Sequence, residues 1–263
     1  MRLNKTMMPV LAVTMVLAGS LYGYKINPVA SIEFGTSTDM NYFTDKVADP
    51  AGGFLNWAST YGGSVYLDDA NSPADNGYAV YNVSAFDTTD QNVFGTTVST
   101  KFHRWAGPVR LGGVSLFGDA TTLKAYAVAI NNATDLSVYL IDGNETTGSG
   151  ISATLLTNVA LDGTTGGVID FDGLILEDGG VQLTASYTLG SGTRTSVSVT
   201  RTPAEVLGDG VDLNGQVGFV RLSTYNGRGQ FDDFSAGQLV PEPSILALLT
   251  LGGTLVLFRR QRR

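Results

Sequence analysis

The sequence predicts an all-β chain folded as two packed antiparallel sheets. Three observations carry that expectation. Short runs of alternating or apolar residues recur along the whole middle of the chain. Clusters of Gly, Asn and Asp punctuate them, such as Asp142-Gly143-Asn144 and Glu177-Asp178-Gly179-Gly180, and the chain holds 33 glycines. No stretch between the two ends sustains a helical period long enough to form a helical layer.

Taken in order, the expected strands are 31–34, 64–67, 77–86, 97–105, 114–117, 123–131, 136–141, 153–160, 167–175, 181–187, 193–200, 218–223 and 230–235. The segment 123–141 reads as strand, turn near Asn131-Asn132, and strand. The segment 181–200 reads as a second hairpin. Residues 204–207, after Pro203, are expected to form a short helical turn. In the final strand, Phe231-Asp232-Asp233-Phe234, strict alternation would put one phenylalanine and one aspartate on each face, so a bulge or a partnered aspartate is required there. Nothing in the pattern forces two domains or shows a fixed repeat.

Composition narrows the function. With 43% hydrophobic and 10% aromatic residues the 263-residue chain can build a core. It has no cysteine and one histidine, which excludes disulfides, thiolate zinc sites and multi-histidine metal sites within one chain. Between Ser31 and Val240, 9 Lys and Arg face 23 Asp and Glu, a balance of −14, against −8 for the whole chain. An acidic body repels nucleic acid, so no nucleic-acid partner is expected.

The remaining cations sit near the ends. Met1-Arg2-Leu3-Asn4-Lys5 precedes a largely apolar run from Met7 to Leu21, the layout of a secretory signal. Ala18 and Ser20 fit cleavage after Ser20; cleavage after Ala30 would place the less suitable Pro28 three residues before the cut. At the other end, Val240-Pro241-Glu242-Pro243-Ser244 leads into an apolar run from Ile245 to Phe258 and then Arg259, Arg260, Gln261, Arg262 and Arg263. As a helix that run would rise about 21 Å, short of the ~30 Å hydrocarbon core, and Gly252-Gly253 weakens it. The arginines would hold its end at the cytoplasmic face.

The order VPEPS, apolar segment, arginine cluster resembles the PEP-CTERM sorting signal handled by exosortase, a membrane protease of Gram-negative bacteria. The resemblance covers about the last 24 residues. It implies that Val240, Pro241, Glu242, Pro243 and Ser244 form the sorting motif, with Pro241, Glu242 and Pro243 at its centre, and that Arg259, Arg260, Arg262 and Arg263 stop transfer. It also implies an exosortase-type partner, a short C-terminal transmembrane helix, and an exported protein at the cell envelope, cell surface or extracellular matrix. The expected organisation is therefore a signal and leader over 1–30, a β-sandwich over 31–239 and a sorting tail over 240–263.

The second half resembles concanavalin A-like and laminin-G-like jelly rolls. A Gly-Phe strand at Gly218-Phe219-Val220, the turn Asn226-Gly227-Arg228-Gly229 and the apolar–Asp–Asp–apolar ending carry that resemblance over 123–237. It implies a two-sheet antiparallel jelly-roll sandwich and a polysaccharide as partner. The Glu-x-Asp-x-x-Glu cluster of laminarinase-like glycosidases is absent, and so is a Gly-x-Ser-x-Gly elbow for a triad that would use His103. Asp170 and Asp172 should share a strand face, the arrangement a glycan-acting hydrolase would need; a non-enzymatic surface protein is the favoured expectation and such a hydrolase the alternative. Trp57, Trp105, Tyr61 and Tyr66 are large enough to stack on sugar rings but are expected mainly in the core. No catalytic residue, metal ligand or cofactor is assigned. Calcium is the one cation entertained, with Asp232 or Asp233, and Glu33, at the junction of the first and last strands.

Overall fold

Alternation in this sequence builds fifteen strands among the described residues of the computed structural model, which are 24–47, 55–67, 77–81, 94–106, 111–119, 121–122, 124–131, 134–143, 151–163, 166–222 and 228–241. The first five are β1 (Tyr24–Ile32), β2 (Phe43–Val47), β3 (Leu55–Ala58), β4 (Ser64–Leu67) and β5 (Gly77–Tyr81). Next come β6 (Gly95–Ala106), β7 (Leu111–Gly118), β8 (Lys124–Asn131), β9 (Asp135–Gly143) and β10 (Ile151–Ala160). The last are β11 (Gly167–Ile175), β12 (Val181–Leu189), β13 (Arg194–Arg201), β14 (Gln216–Arg221) and β15 (Arg228–Pro241). One α-helix, α1 (Pro203–Asp209), lies between β13 and β14.

The strands form two sheets. The larger runs β13-β12-β11-β6-β15-β4-β3, with β1 pairing β15 off that path; the smaller runs β10-β9-β8-β7-β14-β5-β2. The strand pairs whose register is defined are all antiparallel. Residues 26–239 form one compact unit; of the residues before and after it, Tyr24, Lys25, Val240 and Pro241 are described.

Period-2 patterning decides which face of each strand is covered. In β11, Ile169 and Phe171 are fully buried while Val168 and Asp170 face out. In β12, Val181, Leu183, Ala185 and Tyr187 point inward. The smaller sheet answers with Val114, Leu116, Tyr126, Val128, Leu136 and Val138. Near the other end, Phe219 of β14 lies 5.4 Å from Phe43, 5.1 Å from Phe234, 5.8 Å from Phe231 and 6.1 Å from Phe34, ring centre to ring centre. Tilted rings from both sheets thus interlock at spacings that favour edge-on contact.

The bulge required by Phe231-Asp232-Asp233-Phe234 is present. The pairing of β15 with β6 shifts between Asp232 and Ser235, and Asp233 takes φ 50. Both Phe231 and Phe234 are thereby buried, whereas strict alternation would expose one of them.

Helix α1 begins as its sequence dictates. Pro203 occupies the first turn, and Thr202 and Glu205 cap each other in a capping box. Gly210 closes it at φ 68. Arg201 then reaches Asp209 with two bonds of 2.9 Å, and the Tyr126 hydroxyl donates to the same carboxylate at 2.7 Å. Burial, with Asp209 as acceptor and neighbouring charge, pushes the Tyr126 phenol far up.

Several elements depart from the sequence expectation. The first strand starts at Tyr24, inside the segment assigned to the leader, and β2 and β3 were not expected at all. The segment 240–244, expected to be a sorting motif, enters the described residues only at Val240 and Pro241, the end of β15. Glu242, Pro243, Ser244, the apolar run and the terminal arginines lie outside them, as does most of the signal segment. Among the described residues no helix is long and apolar enough to cross a membrane.

Candidate functional site

The outward face of the larger sheet gathers polar side chains in lateral rows. Strand register places Ser99 of β6 beside Asp170 of β11, Asp170 beside Ser186 of β12, and Ser186 beside Ser196 of β13. The next row is Thr97, Asp172, Thr184 and Ser198, and the row on the other side is Lys101, Val168, Thr188 and Arg194. Both carboxylates that the sequence placed on one face of β11 therefore do share it, on successive outward positions.

Their surroundings differ. Asp170 accepts a 2.8 Å bond from the Ser99 hydroxyl and a longer one, 3.4 Å, from Ser186. Arg194 donates to the Ser186 hydroxyl at 2.8 Å and stands 4.0 Å from the Asp170 carboxylate. Burial pushes the Asp172 carboxyl up, with the Asp170 charge adding to the effect; the Thr97 hydroxyl and Arg194 work against it. The face thus offers a solvated carboxylate in a hydroxyl–guanidinium chain beside a second carboxyl that holds its proton more tightly.

A second cluster sits further along β6. His103 and Lys101 project outward while Phe102 between them is buried. The Tyr61 ring lies flat on the imidazole of His103, centres 4.2 Å apart and planes within 5°. Nε2 of His103 is 3.5 Å from Oδ2 of Asp232. The other oxygen of Asp232 accepts from the Asp233 amide at 2.8 Å and, at 3.5 Å, from the Phe34 amide at the end of the first-strand region. Lys101 reaches Asp233 at 3.5 Å with both side chains nearly half exposed.

Asp232 does stand at the junction with the first strand, but its oxygens go to His103 and backbone amides and those of Asp233 to Lys101. Among the described residues no group of three or more His, Asp or Glu that could hold a metal ion comes together. Tyr61, expected in the core, is 55% exposed. Tyr66 is part-buried on β4, and the side chains of Trp57 and Trp105 lie outside the described residues. His103, the one histidine a triad could have used, is a residue of strand β6 with Tyr61 stacked on its ring. The Tyr61–His103–Asp232 grouping was missed because its members come from three distant segments.

No family model matches the chain, and no curated protein is a significant match. Solved structures are similar in architecture. One is the marine PL-14 alginate lyase from Aplysia kurodai, with a TM-score of 0.53, 9% identity, and 81% of this chain aligned to 99% of that one. Another is the CBM2 module of the evolved Dit of Lactobacillus casei BL23 phage J-1, with a TM-score of 0.50, 15% identity, and 83% of this chain aligned to 98% of that one. At such identities the likeness shows the fold, a two-sheet, jelly-roll-like sandwich.

Proposed function

We propose that this protein is an exported, non-enzymatic surface or matrix protein that binds a polysaccharide on the outward face of its larger sheet. The observation that carries the binding reading is the continuous chain Ser99–Asp170–Ser186–Arg194, which offers carboxylate acceptors and a guanidinium donor to vicinal sugar hydroxyls. The two similar structures, an alginate lyase and a CBM2 module, lend the architecture to this reading. The face carries Asp170, Asp172, Asp232 and Asp233 against Lys101 and Arg194, so a neutral polysaccharide suits it better than a polyanion. A glycan array with the exported protein tests this. Asp170→Ala should weaken the best neutral ligand by about 10- to 100-fold, the loss of a hydrogen bond to a charged group. Wild-type protein that binds no glycan, or an Asp170→Ala variant that binds equally well, would refute it.

A second reading, a glycan-acting enzyme, draws on one specific feature: the Asp172 carboxyl, pushed up by burial, stands one outward position from Asp170 on β11, and a pair of carboxyl groups on one face is what such hydrolysis requires. Release of reducing ends by the wild type, abolished in Asp172→Asn, would favour it over simple binding.

The ends supply the delivery. The basic head and apolar run export the chain, and cleavage after Ser20 leaves β1 whole, whereas a cut after Ala30 would fall inside it. An exosortase-type protease then acts at Pro241-Glu242-Pro243, with Arg259, Arg260, Arg262 and Arg263 holding the tail until it is cut. Glu242→Ala should leave export intact and trap an uncut, membrane-held form. Mass spectrometry of surface protein reads the outcome, and abundant peptides spanning Ser244 to Phe258 in the mature wild type would sink the sorting role.

A further inference from the structure

We infer that Tyr61 is the stacking platform of a separate sugar subsite, and that the fold sets its ring in place before any ligand arrives. Its backbone has φ 60, a left-handed conformation that bulky side chains rarely adopt. Such a residue persists only where its surroundings over-determine it, and such places cluster at ligand sites.

The surroundings here come from the far end of the chain. The side-chain amide of Gln230, on β15, donates to the hydroxyls of Thr60 and Ser64, the latter at 2.6 Å. Ser64 in turn donates to the Thr60 carbonyl at 3.1 Å, which closes the turn over Tyr61. At the turn's end Gly63 takes φ 136 with its α-carbon so close to the Phe34 carbonyl that a β-carbon would lie 1.8 Å from that oxygen. The turn is thus pinned from both sides and the Tyr61 ring is laid on His103, itself only 10% exposed at its side chain and beside Asp232.

A ring pinned this way and still 55% exposed does not serve the core. Flat, oriented aromatic surface next to hydrogen-bonding groups matches the apolar C–H face of a pyranose with its equatorial hydroxyls. Lys101 and Asp233, an exposed pair whose mutual attraction is weak in water, stand ready to exchange each other for those hydroxyls. Given the glycan-binding role proposed for this face, the two clusters mark two ends of one path. Ser99, beside Asp170, and His103 are four residues apart on β6, roughly 14 Å at strand rise. That separation calls for a neutral oligosaccharide several residues long and leaves one end unoccupied by a disaccharide.

The test uses the exported protein and a length series, disaccharide to hexasaccharide, of the best neutral binder from the array. Tyr61→Ala should lower hexasaccharide affinity by about tenfold or more, while Tyr61→Trp retains it. Tyr61→Gly, which removes the ring and suits the left-handed backbone, should match Tyr61→Ala in binding and melt no lower than wild type. That control separates a lost platform from lost folding. If Tyr61→Gly binds the hexasaccharide within twofold of wild type while Asp170→Ala loses it, the platform is wrong and the glycan-binding face stands. If wild type binds no oligosaccharide, both fall.

Discussion

Replacing Asp209 by alanine lowers the unfolding free energy by roughly 3–5 kcal/mol, the usual cost of stranding a buried charge. Its carboxylate takes two 2.9 Å bonds from Arg201 and a 2.7 Å bond from the Tyr126 hydroxyl, with 8% and 18% of the Asp209 and Arg201 side chains exposed. Removing it leaves a guanidinium and a phenol facing apolar core. Glu205 at 3.0 Å from Arg201 retains part of the charge balance, but it is exposed and attached to the other edge of the guanidinium. Tyr126→Phe, which keeps the Arg201–Asp209 pair, should cost less, about 1.5–3 kcal/mol. Urea melts of both variants check the order. Equal stability of Asp209→Ala and wild type would show that the clasp between α1 and β8 contributes nothing.

Phe219→Ala should cost a similar amount, about 3–5 kcal/mol, for a different reason. Here no charge is stranded; a cavity opens where four other phenylalanine rings converge from both sheets. Those rings are anchored on β2, on β15 and on the segment that follows β1, so they collapse into the void only in part. Phe219→Leu, which keeps more of the volume, should fall between the two. A thermal melt in which Phe219→Ala shifts by less than Phe219→Leu would contradict the interlocked packing. Both large effects leave Asp170 and Tyr61 untouched, which separates stability from binding.

Much of the architecture was legible because period-2 patterning and turn residues are local. β4 and β11 occupy the segments their alternation predicts, and β8 and β12 differ only at their ends. The helical turn after Pro203 was also legible; capped at its start by Thr202 and Glu205 and at its end by Gly210, it runs to Asp209. What local pattern cannot show is length gained from neighbours. β15 runs on to Pro241 because β6 offers partners as far as Gly95 opposite Leu239. β2 and β3 escaped because each is only four or five residues with polar members, ordered by pairing with β5 and β4. β1 was obscured by Pro28, a breaker in most strands but tolerated where its missing donor is not needed.

The site divides along the same line. Asp170 and Asp172 lie two apart on one strand, so their common face follows from the pleat. Tyr61, His103 and Asp232 lie on different segments, and nothing in Thr60-Tyr61-Gly62-Gly63 announces that the tyrosine takes the left-handed conformation. Gly63 does take a positive φ, as a glycine in a turn allows, but the sequence gives no sign that Tyr61 takes one as well in the turn that Gln230 grips from β15.

The position of β15 also governs when this chain can fold. The last strand in sequence sits between β6 and β4, in the interior of the larger sheet. Phe231 pairs with Phe102 on one side and Val65 on the other, so the closing contacts span most of the chain. Loops that long close slowly, and folding dominated by distant pairing is correspondingly slow. A chain emerging N-terminus first would present β4 and β6 with no strand to join them until Gly229, Gln230 and Phe231 were free. Until then the larger sheet would stay in two parts, which β15 joins in one late step. The last residue of β15 paired with β6 is Leu239, and the sorting motif proposed above begins at the next residue, Val240, so the strand that completes the larger sheet and the proposed signal adjoin in the chain.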